Sequence, residues 1–477
     1  MYLTETDRVN LMLMQNNNPT ASDIIRDLIA DDKLSTAKKN MTAGDEYYKI
    51  NHDVLKHDFN EVIIDGTPVL NPLISNDKLV HAFHHILVNQ KIDYVCGNPV
   101  KIQADESLLP SINEALGDKF DLLLKKWGIN ASNKGNEFLH PWIDKDGNFR
   151  LTIIPSQQII EIYDQQYQEE RLGVLRYYSI DVKRDRLSPK KTINKVELWD
   201  NEKTLFLIEE GGRYVLDPDQ PENPKYNFYR YNTLTPSEKN GLSWGKIPFV
   251  KLKNNSLEMS DLQLCKSLID NYDFSRSQFS NNLSDIQELF WILFGADKTD
   301  LGEFVRNLKT YKAMKVPQGA DVQDKKGEIP FAARKEHEDT LWEDIFFFGM
   351  GVNWKSDIFR NPPSGAALKT LLIPLDLKAN ALIREWTPAL SEVIYFLAKY
   401  FELTGKNNFD PKQIGFRFDK TMIINELEKS QIAQAGKGII SDETIIENHP
   451  WVKDAQLEME RLAKQSEEII NLDNVQA

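Results

Sequence analysis

The sequence predicts an α+β chain with one β-rich body and an extended helical half. Three patterns carry that prediction. Between about residues 137 and 253 the apolar period is two; on either side it is three to four; and a compact strand–helix–strand set stands between two single helices.

Residues 1–45 read as helical, with Thr20 and Ser22 as N-cap candidates ahead of the stripe Ile24, Ile25, Leu28 and Ile29. A hairpin is expected over 61–70, turned on Asp65-Gly66. The next helix is expected from about Asp77 to Val95, with Leu79, Phe83, Ile86 and Leu87 on one side and Gly97-Asn98-Pro99 as its stop. Another helix is expected at roughly 107–127. Short segments rich in β-branched and aromatic residues follow, from NFRLTIIP to IPFVKLK, separated by Gly, Pro, Asp and Asn. The insert Pro218 to Lys246 shows no period and reads as a surface excursion.

Helix returns over 260–285. The compact set comprises ELFWILFG (288–295), a helix over 300–316 and a strand within 320–330. A helix over 331–349 follows, then the loop MGVNWKSDIFRNPP (350–363). A long apolar helix runs from Ser364 to about Leu403. Pro374 and Pro388 lie inside it, and each should kink it because proline removes a backbone donor. A strand, IGFRFD (414–419), leads to two or three terminal helices.

A length of 477 residues allows two to four domains, and 41% hydrophobic with 27% charged residues is ordinary globular usage. No apolar run approaches the ~18 residues that cross a bilayer, so no membrane partner is expected. MYLTETDRVN has no apolar core of a secretory signal. Cys96 and Cys265 are the only cysteines, which excludes a disulfide framework and a cysteine-built zinc site and fits a reducing cytoplasm. The net charge of −14 is unusual for a chain that grips DNA, since phosphates are neutralised by Lys and Arg. An acidic wall is compatible with DNA that slides, because it offers no sticking points.

A search for catalytic chemistry returns little. His81-Ala82-Phe83-His84-His85 has the length of a zinc helix motif but lacks the glutamate a metalloprotease uses as general base. A metal-dependent hydrolase using His81, His84 and His85 is therefore an alternative reading; histidines at the margin of an amphipathic helix is the plainer one. Asp144-Lys145-Asp146-Gly147-Asn148 has its glycine one position early for a calcium loop and no closing glutamate, so a hairpin turn explains it. Ser243-Trp244-Gly245-Lys246 lacks the spacing of a phosphate loop. No enzyme, cofactor or metal is expected. A third alternative is an intracellular scaffold without DNA contact. In the loop 350–363, Trp354, Lys355, Phe359 and Arg360 are the side-chain types that touch a phosphate backbone without reading bases.

Four stretches, in this order, resemble the portal proteins of tailed phages, in particular the family typified by phage SPP1. They are NDKLVHAFHHILVNQKIDYVCGNP (76–99), GKIPFVKLKNNSLEMSDLQLCKSLIDNYD (245–273), TDLGEFVRNLKTYKAMKV (299–316), and FGMGVN (348–353) with PSGAALK (363–369) and LDLKANAL. Together they reach past residue 380.

The resemblance implies a portal fold: a β-rich outer wing (1–255), a first stem helix (256–284), a small α/β clip (285–329), a second stem helix (330–349), a tunnel loop (350–363), a long kinked spine helix with a strand (364–419), and a helical crown (420–477). It implies a ring of copies of the chain, typically a dodecamer, at one capsid vertex of the virion, assembled in the bacterial host cytoplasm. Double-stranded DNA would pass through it in packaging and ejection, without sequence specificity. Implied partners are the terminase large subunit, the head-completion adaptor, and the scaffolding and major capsid proteins.

Laid on this sequence, the tunnel loop would present Asn353, Trp354, Lys355, Phe359, Arg360 and Asn361 to DNA, and Arg334, Lys335 and Glu338 would line the stem. Residues 331–349 carry Arg334 and Lys335 against Glu336, Glu338, Asp339, Glu343 and Asp344, a net of −3. Residues 260–285 carry Lys266 and Arg276 against Asp261, Asp270, Asp273 and Asp285, a net of −2. Such stems would make an acidic tube, in which Lys355 and Arg360 supply the few positive contacts. This loop departs from the family, which more often has glycine and acidic residues there.

Overall fold

A computed structural model of the chain describes residues 19–476 except 65, 73, 165, 168, 184–189, 232–238, 286–289, 295–320, 326–330, 356–364, 407, 422–433, 448, 450 and 453–454. It is a mixed helix-and-sheet structure that divides into two compact units. The first comprises Met1–Asn353 with Leu375–Asp419; the second, Trp354–Pro374 with Lys420–Ala477.

In the first unit α1 (Pro19–Leu34) is followed by α2 (Thr36–Tyr48), whose N-cap Ser35 accepts the Lys38 N–H at 3.2 Å. Ser22 is not a cap: it lies inside α1 and accepts the Tyr214 N–H at 2.7 Å, pinning the helix to a sheet. The expected hairpin is present as β1 (Glu61–Ile64) and β2 (Thr67–Leu70), with Gly66 at φ +78°, a left-handed conformation that glycine adopts freely. α3 (Phe83–Cys96) starts six residues later than its apolar spacing suggests. β3 (Lys101–Gln103) follows, and the single helix expected at 107–127 is two, α4 (Leu109–Leu116) and α5 (Phe120–Lys134), parted at Gly117.

The period-two stretch forms antiparallel sheets, as its alternation requires. β4 (Asn136–Ile143) and β5 (Phe149–Ile154) are joined by the Asp144 turn, whose Oδ1 accepts the N–H groups of Asp146 and Asn148 at 3.0 and 2.8 Å. β6 (Ile159–Tyr163), β7 (Arg171–Val182), β8 (Lys191–Trp199), β9 (Lys203–Glu210) and β10 (Arg213–Leu216) form a meander in sequence order. Ile25, Leu28 and Ile29 of α1 pack on Ile160, Leu175, Val196 and Leu207 of this sheet.

The insert at 218–246 is more ordered than its composition suggests. β11 (Lys225–Tyr226) pairs with β9, and β12 (Phe228–Tyr231) with β13 (Lys239–Leu242). Trp244 is buried with its ring 5.6 Å from Phe396 and 5.1 Å from Phe228. One aromatic anchor can hold an aperiodic segment that a pattern of alternation cannot detect. β14 (Val250–Lys253) closes a three-stranded sheet, β14-β4-β5.

A 3-10 turn, Asp261–Leu264, carries a Ser260/Gln263 capping box and leads into α6 (Lys266–Asp285). β15 (Phe290–Phe294) pairs antiparallel with β16 (Asp321–Lys325); the helix expected over 300–316 lies outside the described residues. α7 (Phe331–Phe348) packs on α6. α8 (Gly365–Thr404) is helical through both of its prolines, with Pro388 exposed, and β17 (Gly415–Arg417) pairs with β3. In the second unit α9 (Asp442–Glu447) packs on α10 (Ala455–Gln476).

Candidate functional site

The α6–α7 pair and the chain that leaves it at residue 349 form the region the sequence marks most heavily. α6 is held along one face by the segment 75–81, which the apolar spacing assigned to a helix. Its backbone is engaged otherwise. The N–H groups of His81, Leu79, Asp77 and Ser75 donate to Asp273 Oδ1, Ser277 Oγ, Asn281 Oδ1 and Asp285 Oδ1 at 3.0, 2.9, 2.7 and 3.1 Å. Every fourth residue of the helix meets every second residue of the strap, so the strap satisfies its donors without forming a turn of its own.

Where α6 begins, a buried charge cluster joins four segments. Asp261 pairs with Lys91 of α3 at 2.7 Å and with Lys378 of α8 at 3.2 Å, and accepts from Asn254 Nδ2 at 2.9 Å. Burial opposes the Asp261 charge, yet Lys378 and Lys91 hold its carboxyl well below the usual carboxylate range. Burial pushes Lys91 down to about 8 despite the attraction of Asp261. Lys378 Nζ also donates to the Gly349 carbonyl at 2.9 Å, placing a cation at the C-terminus of α7 where the helix dipole favours it. Beside this cluster Phe83, Tyr272, Trp342 and Phe346 stack edge to face, with Phe83–Tyr272 centroids 5.0 Å apart.

α7 ends in a Schellman motif. The Gly351 N–H donates to the Phe346 carbonyl at 2.9 Å and the Met350 N–H to the Phe347 carbonyl at 3.1 Å, with Met350 itself left-handed at φ +53°. A Cβ on Gly351 would stand 2.1 Å from Leu87 Cδ2, so no larger residue fits unless the buried Leu87 side chain shifts. Gln90 then brackets Val352: its Oε1 accepts the Val352 N–H and its Nε2 donates to the Val352 carbonyl, both at 2.9 Å. Asn353 Oδ1 accepts from Trp342 Nε1 at 3.0 Å. Thus the loop is fixed through Asn353. Beyond it Trp354 and Lys355 are exposed, whereas Phe359, Arg360 and Asn361 lie outside the described residues.

The residues expected to line the stem do not share one environment. Lys335 is exposed. Arg334 is half-buried with its guanidinium 5.7 Å from the Phe279 ring. Glu338 is buried and turned inward, paired with Arg276 of α6 at 2.7 Å. In the single chain that carboxylate joins the two helices. The outward face of α7 carries Glu336, Asp339 and Glu343 instead, all exposed and spaced i, i+3, i+7 so that they form one stripe.

The histidines turn to separate partners. His81 Nδ1 and His52 Nδ1 lie 2.8 and 2.6 Å from the two oxygens of the buried Asp273. His84 Nε2 meets Asn133 Oδ1 at 3.1 Å, and burial lowers its pKa to about 4. His85 Nδ1 faces the Tyr48 carbonyl at 3.0 Å. Among the described residues no group of His, Cys, Asp and Glu side chains is placed to hold a metal ion. Gln90, Lys91 and Lys378 were not singled out from the sequence, although Gln90-Lys91 lies within the first of the resembling stretches and Lys378 within the last, and Asp261 was counted only as a stem charge.

Comparisons with known proteins cover nearly the whole chain. The family model for phage portal protein, SPP1 Gp6-like, matches residues 28–472. The portal protein of Bacillus phage SPP1 is 29% identical over 471 residues, covering 97% of this chain and 90% of that one. The portal protein of Clostridium phage phiCD119 is 28% identical over 468 residues, covering 93% of this chain and 96% of that one. Among solved structures, a chain from the neck of a native GTA particle computed with C12 symmetry is similar at a TM-score of 0.37 and 13% identity, covering 76% of this chain and 88% of that one.

Proposed function

The chain belongs to the SPP1 Gp6-like family of phage portal proteins, and from that membership we propose that it acts as one subunit of a closed ring at a capsid vertex through which duplex DNA enters and leaves. The observation that carries the reading at the level of residues is the locked end of α7. Lys378, Gln90 and the Schellman turn fix the chain through Asn353 and leave Trp354 and Lys355 exposed just past the anchor. In a ring, such a segment repeats around the axis and meets a passing duplex from every side.

In this reading residues 1–255 form a wing, 256–284 and 330–349 the stem, 285–329 a clip that docks a terminase large subunit and later a head-completion adaptor, 350–363 the tunnel loop, 364–419 the spine, and 420–477 a crown. Scaffolding and major capsid proteins surround the ring. The stem wall is acidic through Glu336, Asp339 and Glu343. Binding that depends on counterion release needs cations, so this wall holds DNA weakly and lets it pass. Lys355 and Arg360 provide the few phosphate contacts. Hydrolysis of ATP belongs to the terminase, and this chain is a conduit rather than an enzyme.

Electron microscopy of the purified chain tests the ring, which should be closed with a duplex-wide hole; a stable monomer overturns it. Lys355→Ala with Arg360→Ala should leave ring assembly intact while lowering DNA packaging or retention. Unchanged packaging and retention in intact rings would remove the contact role of these two residues.

A further inference from the structure

A cleft of about 490 Å³ opens between α2 and the start of the segment that leads to β1, lined by Lys33, Lys39, Lys56, Glu46, Asp53 and Tyr177 among others. Of its two carboxylates, Asp53 is paired with cations and Glu46 keeps its charge. Glu46 accepts from Asn51 Nδ2, and Asp53 is paired with Lys56 and Lys266 at 2.8 and 2.7 Å. Lys38, on the same wall, is committed to the carbonyls of Ser156 and Ile159 and to Asp32. Lys33 and Lys39 differ. Both are exposed, Lys33 lies 5.5 Å from the Tyr177 ring centroid, and neither has a carboxylate partner among the described residues. A chain of net charge −14 therefore carries a concave site in which two lysines without a carboxylate partner stand against the single charge of Glu46.

An acidic patch stands elsewhere in the same unit. α2 packs on α5, α5 on β4, β4 pairs with β5, and α4 packs on β5. The turn entering α4 projects Asp105 and Glu106, and Glu114 and Asp118 follow; all four are exposed and none has a cation partner among the described residues. The Asp105 carbonyl accepts the N–H groups of Leu108 and Leu109 at 2.9 and 3.2 Å, which fixes the turn as a compact knuckle.

We propose that the Lys33/Lys39 cleft receives the Asp105–Glu106 turn of a second copy of this chain. The inference rests on the ring reading above and deepens it by naming a subunit junction. A head-to-tail ring needs two different surfaces on each copy, complementary to each other and on different sides of the fold. An exposed acidic turn before α4 and a concave lysine cleft beside α2, on elements linked only through α5, β4 and β5 in the contacts named above, supply two such complementary surfaces. Complementary charge also fixes which neighbour docks and in what orientation.

The test uses charge reversal of the full-length chain at about physiological ionic strength. Lys33→Glu with Lys39→Glu gives a chain whose cleft and turn are both acidic; Asp105→Lys with Glu106→Lys gives one whose cleft and turn are both basic. Each alone should lose ring by roughly tenfold or more in native mass spectrometry, since like charges face each other at every junction. A one-to-one mixture restores opposite charge at every junction and should recover rings of alternating copies. Either variant forming rings as the unaltered chain does, or a mixture that stays apart, overturns the proposal. If the lysine variant keeps its rings and loses affinity for duplex DNA instead, the cleft reads phosphate and the proposal also falls. As a check that does not depend on charge, Lys39→Cys with Glu106→Cys should give a ladder of disulfide-linked copies on oxidation of formed rings, and the absence of a ladder counts against the junction. An unaltered chain that forms no ring overturns the channel reading itself; unaltered rings with indifferent variants overturn the junction alone.

Discussion

At its inner end the α6–α7 pair is closed by buried charge and stacked aromatics: Asp261, Lys91 and Lys378 stand beside Phe83, Tyr272, Trp342 and Phe346. At its outer end the two helices meet through the Arg276–Glu338 pair and a Phe279–Phe331 contact with centroids 5.8 Å apart, while Leu283 and Phe331 are exposed. One end is fixed to the body of the first unit through residues from α3 and α8. The other is steadied mainly by the strap on α6. The contrast teaches that the pair is anchored where it meets the body, while among the described residues its far end is held by fewer and more exposed contacts.

The largest expected effect tests the anchored end. Asp261→Ala leaves two buried lysines without their counter-ion and should lower stability by about 3–5 kcal/mol, read from urea midpoints. A loss below about 1 kcal/mol would mean that the cluster does not anchor the pair. A smaller effect comes from His84, beside the same cluster. Its folded pKa of about 4 lies below its ordinary value of 6.5, so the unfolded chain binds the proton first as pH falls. Stability from this group is full above about pH 6.5 and is lost down to about pH 4, roughly 2 kcal/mol between pH 7 and 5. Denaturation midpoints at the two pH values should therefore converge in His84→Gln. The smallest effect belongs to the outer end: Arg276→Ala breaks a partly exposed pair and should cost about 1 kcal/mol or less. A loss as large as that of Asp261→Ala would erase the contrast.

The strands were legible through their β-branched and aromatic residues and the Gly, Pro, Asp and Asn between them, and the Gly66 and Asp144 turns because their chemistry is local. The strap was not. Leu79, Phe83, Ile86 and Leu87 have helical spacing, and the competing claim on the backbone comes from Asp273, Ser277, Asn281 and Asp285, about two hundred residues away. The Arg276–Glu338 pair was hidden for a related reason: composition counts a charge, but only the turn of Glu338 on α7 decides which neighbour it meets. The resembling stretch at 76–99 was visible as a pattern, whereas the tasks of its members, Gln90 on Val352 and Lys91 on Asp261, depend on contacts that no single stretch contains.

The strap and α6 behave as two rulers of slightly different pitch. Four residues of helix advance about 6 Å and two of extended chain about 6.6 Å, so the marks drift by roughly 2 Å between the first rung and the last. The side chains follow that drift: the short Ser277 serves an inner rung, and the longer Asp273, Asn281 and Asp285 serve the others. Such a vernier sets its own length. It comes into step near its middle and runs out at both ends, which ties the exit of the strap at Ser75 to the last turn of α6. A single residue inserted between Ser75 and His81 would put all the marks on one side of it out of step.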